Sequence, residues 1–156
     1  MTLQEVVSQI KPADQGAMAA ARAHWDTRIA GASGTAAVDI TKRAVVAMCA
    51  DNGVVAEGVT QSGQDVTAII AENMGRGTSS VCRMGRVAGA DVVPVDIGVA
   101  VPVTVGKILQ RNIRRGTADL AVEPAMSRAE CERAILVGVE VVKDLVDQGY
   151  RLLATG

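Results

Sequence analysis

The sequence predicts an α/β fold, a mainly parallel sheet flanked by helices, on three observations. Short unalternating apolar runs such as Ala44–Ala50 (AVVAMCA) read as strands covered on both faces. Between these runs apolar residues recur at helical spacing, so strand and helix patterns alternate along the chain. The 156 residues hold no Phe, one Trp and one Tyr, so the core must be built from Val, Ile, Leu, Ala and Met, and Val-rich clusters favour buried strands. The length suits one domain of ordinary size.

Taken in order, Leu3, Val6, Val7 and Ile10 share one face of a short first helix. Pro12 suits the first position of a second helix, with Asp14 in its first turn, running to about Gly31. Residues 1–30 thus form a helical pair that belongs to a smaller helical domain, and 31–42 (GASGTAAVDITK) read as a linker. The α/β part is expected over 43–156. Its first strand, Ala44–Ala50, is closed by Asp51-Asn52-Gly53. Val66, Ile69, Ile70 and Met74 then share one side of a helix, which Ser62 and Asp65 open as a capping-box-like pair and Gly75 and Gly77 stop.

A further helix over Thr78–Val87 ends at Gly89. The next strand, Asp91–Gly98, contains Pro94, which removes a ladder bond and places that point at an edge or a distortion. Residues 99–126 leave pairing open between one strand and two. Ser127 and Glu130 form a capping box before a long helix whose buried stripe is expected at Cys131, Ile135, Gly138, Val142 and Leu145. Gly149 ends it, and Arg151–Gly156 starts a last strand.

Composition excludes several functions. Sixteen basic against seventeen acidic residues is too balanced for a dedicated nucleic-acid binder, and the near-absence of rings removes base-stacking platforms. No apolar run approaches a membrane span, and the N-terminus lacks a signal-peptide pattern, so a cytoplasmic protein is expected. Cys49, Cys82 and Cys131 are far apart, which argues against zinc and disulfides and for buried thiols.

Chemistry is expected at the carboxyl ends of the strands. There Asp51 and Asn52 follow the first strand, Asp96 closes the second and Gly156 follows the last. Each aspartate also reads as a turn cap, and for Asp96 that is the stronger reading. His24, beside Trp25, reads as a packed or surface residue, and the Arg111, Arg114 and Arg115 cluster as solvated surface or as an oligomer or phosphate contact. The Gly75-Arg76-Gly77 triplet lies between helices, so it is no dinucleotide fingerprint, and a nucleotide-binding regulator has little support. No complete catalytic set is present, and no metal or cofactor is implied.

The stretch VVAMCADNGVVAEGVTQSGQDVTAIIAENMGRGTSSVCRMGRVAGADVVPVDIGV, with RGTADLAVEPAMSRAE and RLLATG, resembles the nicotinate-nucleotide–dimethylbenzimidazole phosphoribosyltransferases of cobalamin biosynthesis. The likeness runs from about Arg43 to Gly156, more weakly over 1–27. It implies a Rossmann-like large domain, a homodimer, and transfer of phosphoribose from nicotinate mononucleotide to 5,6-dimethylbenzimidazole, giving α-ribazole 5′-phosphate and nicotinate. A glutamate from the family's C-terminal part would be the base, with no metal. Ser62 matches a serine near the aromatic base, Asp51 and Asn52 the pair at the strand end, and Gly156 the glycine before a ribose- and phosphate-contacting loop.

The same resemblance implies that this chain is under half of such an enzyme, inactive alone, with an internal deletion where TRIAGASGTAAVDITK replaces a longer segment. Ile70 stands where some members have a polar base contact. The alternative is a non-catalytic base-binding or dimer-assembly module.

Overall fold

Two units divide the chain at Ile40 and Thr41, and each is described by itself. The computed structural model describes residues 1–20, 34–35 and 37–156. His24, Trp25 and the expected helix end near Gly31 lie outside the described residues.

In the first unit, α1 spans Leu3–Ser8 and opens on a capping box. The Thr2 hydroxyl accepts from the Glu5 amide at 3.2 Å, while the Thr2 amide donates to Glu5 Oε2 at 2.7 Å. α2 spans Gln15–Ala20. Asp14 lies just before it rather than in its first turn, because its carboxylate accepts the Ala17 amide at 2.8 Å and so acts as the cap.

The second unit holds a four-stranded, all-parallel sheet in the order β3-β2-β1-β4, with β1 at Arg43–Ala50, β2 at Ala90–Gly98, β3 at Leu109–Gln110 and β4 at Leu152–Thr155. A 3₁₀ turn (Gly53–Glu57), α3 (Asp65–Gly75) and α4 (Ser80–Ala88) connect β1 to β2, and α5 (Arg128–Asp147) connects β3 to β4. Alternation along β1 divides the core. Ala44 and Val46 pack with Val95, Val141 and Leu145 on the α5 face, whereas Cys49 packs with Ala71, Val99 and Val103 on the α3 face. This is the α/β architecture that the alternating pattern predicts.

Pro94 lies inside the sheet, paired with Ala47. The β3 ladder begins only at Val95, so at Pro94 strand β2 has a neighbour on one side alone, and the missing N–H is tolerated there. The stretch 99–126 contributes just the two residues of β3.

Three helix details differ from expectation. Ser62 does not cap α3. The helix starts at Asp65 after Gln64, without a side-chain cap, and the Ser62 hydroxyl lies 3.4 Å from that of Thr60. Gly75 does not stop α3 but is its last residue, where a Cβ would come 2.7 Å from Ile108 and 3.1 Å from the Lys107 amide; the left-handed residue beyond is Gly77. The core stripe of α5 only partly follows the predicted one: Leu145 is buried as expected, but Val141 is buried in place of Val142, and Cys131, Ile135 and Val142 are exposed. Apolar residues surround that helix, so periodicity alone does not select the inner face.

The α5 capping box forms as predicted: Ser127 Oγ accepts the Glu130 amide, and Glu130 Oε2 accepts the Ser127 amide at 2.7 Å. The Ser127 amide, then its hydroxyl and nearby Arg114, hold the Glu130 carboxyl below its usual value.

At the amino edge of the sheet, Tyr150 donates its phenol proton to Asp91 Oδ2 at 2.6 Å, with the Lys42 ammonium 4.6 Å from the ring centre. The Asp91 carboxylate, helped by burial, raises the phenol pKa. A raised acid pKa stabilises the fold fully below the unfolded phenol value and loses that contribution as pH climbs through the folded one. Tyr150→Phe is therefore expected to cost about 1–2 kcal/mol at neutral pH. The gap from wild type should narrow above about pH 10, the ordinary tyrosine value. Urea unfolding between pH 7 and 12 checks this; a gap that stays constant across the range contradicts it.

Candidate functional site

Strand order changes direction at β1, with β2 and β3 on one side and β4 on the other, and the carboxyl end of such a strand is where open α/β sheets bind ligands. A cleft of about 400 Å³ opens there. Met48 through Asn52 form its floor, the Thr60–Gln64 loop one rim, and Val66, Thr67, Ile70 and Met74 of α3 its apolar wall.

Three of the four predicted site residues, Asp51, Asn52 and Ser62, line this cleft together. Asn52 begins the 3₁₀ turn without a side-chain capping bond, and its carbonyl accepts from Gln64 Nε2 at 3.1 Å, which ties the rim to the floor. Gly156 is not a lining residue. It lies at the same end of the sheet, its amide donating to Val46 O at 3.1 Å. That register leaves it level with Ala47, short of Asp51 by roughly 13 Å at the usual strand rise.

Asp51 is only 4% exposed. Its Oδ2 accepts the Ala100 amide at 2.8 Å, its own amide donates to Gly98 O and its carbonyl accepts from Thr117. The acid at the strand end is thus tied to the loop that follows β2. Asp96 does the equivalent one strand over, fully buried, accepting from the Val99 amide (2.9 Å), Asn112 Nδ2 (2.7 Å) and Arg115 (3.2 Å). Arg114 pairs with Glu130 at 3.6 Å and donates to Ala125 O. Two arginines of the basic cluster therefore hold loops, not a bare positive patch.

The apolar wall is only partly legible in the sequence: the resemblance sets Ile70 at a base-contact position, but nothing assigns Val66 or Met74 to a site. Of Val66, Ile69, Ile70 and Met74, predicted on one side of this helix, Val66, Ile70 and Met74 line the cleft, Ile70 being 46% exposed, Ile69 is exposed outside that lining, and Ala71 is the buried residue of α3. A signal was present: α3 carries apolar residues on more than one side, more than a surface helix needs for its core.

Among the described residues Asp51 is the sole carboxylate lining the cleft, and the other titratable group there is the Cys49 thiol. Burial, then the nearby Asp96 charge, pushes that thiol above its ordinary pKa and keeps it neutral. The arrangement can hold a flat, mostly apolar molecule by one polar edge, and it offers little for proton transfer. Among the described residues no group of three or more His, Cys, Asp or Glu is placed to hold a metal ion, and no helix is long and apolar enough to cross a membrane.

A family model described as phosphoribosyltransferase matches residues 23–156. The chain is 34% identical to the nicotinate-nucleotide–dimethylbenzimidazole phosphoribosyltransferase of Clostridium tetani over 170 aligned positions, covering 99% of this chain and 47% of that protein. It is 40% identical to the enzyme of the same name from Acetivibrio thermocellus, over 83% of this chain and 37% of that one. A solved structure of the Thermus thermophilus nicotinate-nucleotide–dimethylbenzimidazole phosphoribosyltransferase superimposes with a TM-score of 0.84 at 33% identity, covering 92% of this chain and 48% of the other.

The chain thus spans about half the length of the relatives it matches. The 170 aligned positions exceed the 156 residues of this chain, so the Clostridium tetani relative carries residues within the matched stretch that are missing here.

Proposed function

Because this chain belongs to the nicotinate-nucleotide–dimethylbenzimidazole phosphoribosyltransferase family, we propose that its cleft binds the aromatic base of that reaction and that its described residues do not supply the proton acceptor. In the reaction a benzimidazole nitrogen forms a bond to the anomeric carbon of nicotinate mononucleotide, and the bond to nicotinate breaks. The proton on the other ring nitrogen must leave as the new bond forms, which suits a carboxylate in an apolar pocket.

The cleft itself carries this reading. Its Ile70, Val66 and Met74 wall suits the ring face and methyl groups, and Ser62 and Asn52 stand where a ring nitrogen could be met. Asp51 is no substitute for a free base, since it is buried and committed to Ala100. In the same proposal the chain is one part of a homodimeric cytoplasmic enzyme of cobalamin lower-ligand synthesis, residues 1–30 belong to a smaller helical domain, and Gly156 leads toward the ribose phosphate.

Calorimetric titration of the purified chain with 5,6-dimethylbenzimidazole tests the binding. We expect saturable 1:1 heat, weakened at least about tenfold, or roughly 1.4 kcal/mol, by Ile70→Glu, which sets a charge against the ring. Adding nicotinate mononucleotide is expected to yield no α-ribazole phosphate. Absence of heat overturns the binding half of the proposal, and product formation overturns the other half.

A further inference from the structure

We propose that a groove at the amino end of β2, on the α3 and α4 side of the sheet, binds a phosphate-bearing small molecule of mononucleotide size. The groove has a volume of about 460 Å³, within the range of small-molecule sites, and lies at the end of the strand opposite the base cleft. Met74 and Val92 give it an apolar surface, and three cationic residues, Arg76, Arg86 and Lys107, line it. Among the described residues the one acid in the lining is Asp91. Its carboxylate does not offset these charges. Asp91 pairs with Ala44, whose side chain packs on the α5 face, and there Asp91 Oδ2 accepts the Tyr150 phenol at 2.6 Å.

The charges and their tethers select the ligand. Arg86 Nη2 donates to Gly77 O at 2.8 Å and Nε to Cys82 O at 3.3 Å, so carbonyls hold the guanidinium in place without neutralising it. Held this way, it keeps Nη1 and one Nη2 hydrogen for an incoming oxygen. Lys107 donates its backbone amide to Gly75 O at 2.9 Å, while its ammonium has no partner among the described residues. Arg76 makes only an exposed pair with Glu72 at 3.2 Å, and such a pair competes weakly with a ligand's charge. Two uncompensated cations and a third loosely paired one match a dianion, and arginine suits the tetrahedral oxygens of phosphate. A single carboxylate carries half that charge. The groove exceeds a bare phosphate in volume, and its Met74 and Val92 surface suits the sugar or ring that the phosphate carries. The inference rests on this groove and not on the family or on the proposed base binding.

An NMR titration of the purified chain with ribose 5-phosphate, adenosine 5′-monophosphate and adenosine tests it. We expect both phosphates, at millimolar concentration or below, to shift the Gly77 and Lys107 amides saturably, and adenosine to leave them in place. The Asn52 and Ser62 amides of the base cleft should not move. Lys107→Gln should weaken binding about tenfold without changing the melting transition, because the side chain is exposed and unpaired. Arg86→Lys keeps the charge but loses both carbonyl ties, and should weaken binding by a similar factor. Equal affinity for the two phosphates assigns recognition to the sugar phosphate, and tighter nucleotide binding adds the ring; either supports the site. Absence of binding, shifts confined to Asn52 and Ser62, adenosine binding as well as its monophosphate, or undiminished affinity in Lys107→Gln overturns the inference. Calorimetry with dimethylbenzimidazole reads the base cleft separately, so the two proposals fail independently.

Discussion

Replacing Asp96 by alanine is expected to destabilise the α/β unit by about 3 kcal/mol, in the range for breaking a buried, hydrogen-bonded ion pair. Three donors converge on this carboxylate from the segment that follows it. Arg115 and Asn112 are partly exposed and can find water, but the Val99 amide belongs to a fully buried residue and cannot. Most of the cost is therefore an orphaned backbone donor and an unpinned loop. Asp96→Asn keeps an acceptor of the same shape and should cost less than half as much. Urea denaturation of the three proteins measures the difference; an alanine variant within about 0.5 kcal/mol of wild type, the usual effect at an ordinary surface position, would show that the loop holds itself.

The second large effect is expected at Gly53. A Cβ there would lie 2.5 Å from the carbonyl carbon of Ala118 and 2.6 Å from the Asp119 nitrogen and Thr117 oxygen. All three are backbone atoms, so no side chain can turn aside, and the 3₁₀ turn must move away from the 117–119 segment. Gly53→Ala is expected to cost about 2–3 kcal/mol, as overpacking does in well-filled regions. It should also weaken dimethylbenzimidazole binding more than tenfold, because Asn52 and the cleft floor move with residue 53. Thr117→Val separates the two contributions. It removes only the hydroxyl that accepts the Gly53 amide at 3.0 Å, and should cost about 1 kcal/mol with the floor in place. Equal losses of affinity in both variants would assign the effect to that hydrogen bond instead of the close approach.

Elements whose signal is local were readable from residues alone. Ser127 and Glu130 define a helix start by bonds three residues apart, and Gly89 ends α4 in the left-handed conformation that the sequence suggests. What depends on distant partners was not readable. Gly75 reads as a helix stop, yet its role is to let the Gly106–Ile108 segment approach, with Lys107 donating to its carbonyl at 2.9 Å. Similarly, Val141 rather than Val142 faces the core because β1 and β2 meet that side of α5. Asp51 and Asn52 were legible as strand-end residues, whereas Ser62 read as a helix cap and was marked as a site residue only by the resemblance; the structure brings all three to one cleft. Of the apolar wall opposite them only Ile70 was marked, by the resemblance, because an apolar residue that faces a cleft and one buried by its own fold have the same pattern in sequence.

The ladder between β1 and β4 closes a loop of more than a hundred residues, from Arg43 to Leu152, whereas β2 reaches β1 after fewer than fifty. Closing so long a loop costs about 4 kcal/mol in chain entropy before the four-residue strand returns any pairing energy. Refolding should therefore assemble β1, β2 and their two connecting helices early and admit the last strand late, so that β4 joins from a state already collapsed around Val95. During synthesis the same order is imposed by emergence from the ribosome, which presents β1 and β2 well before the residues that complete the sheet.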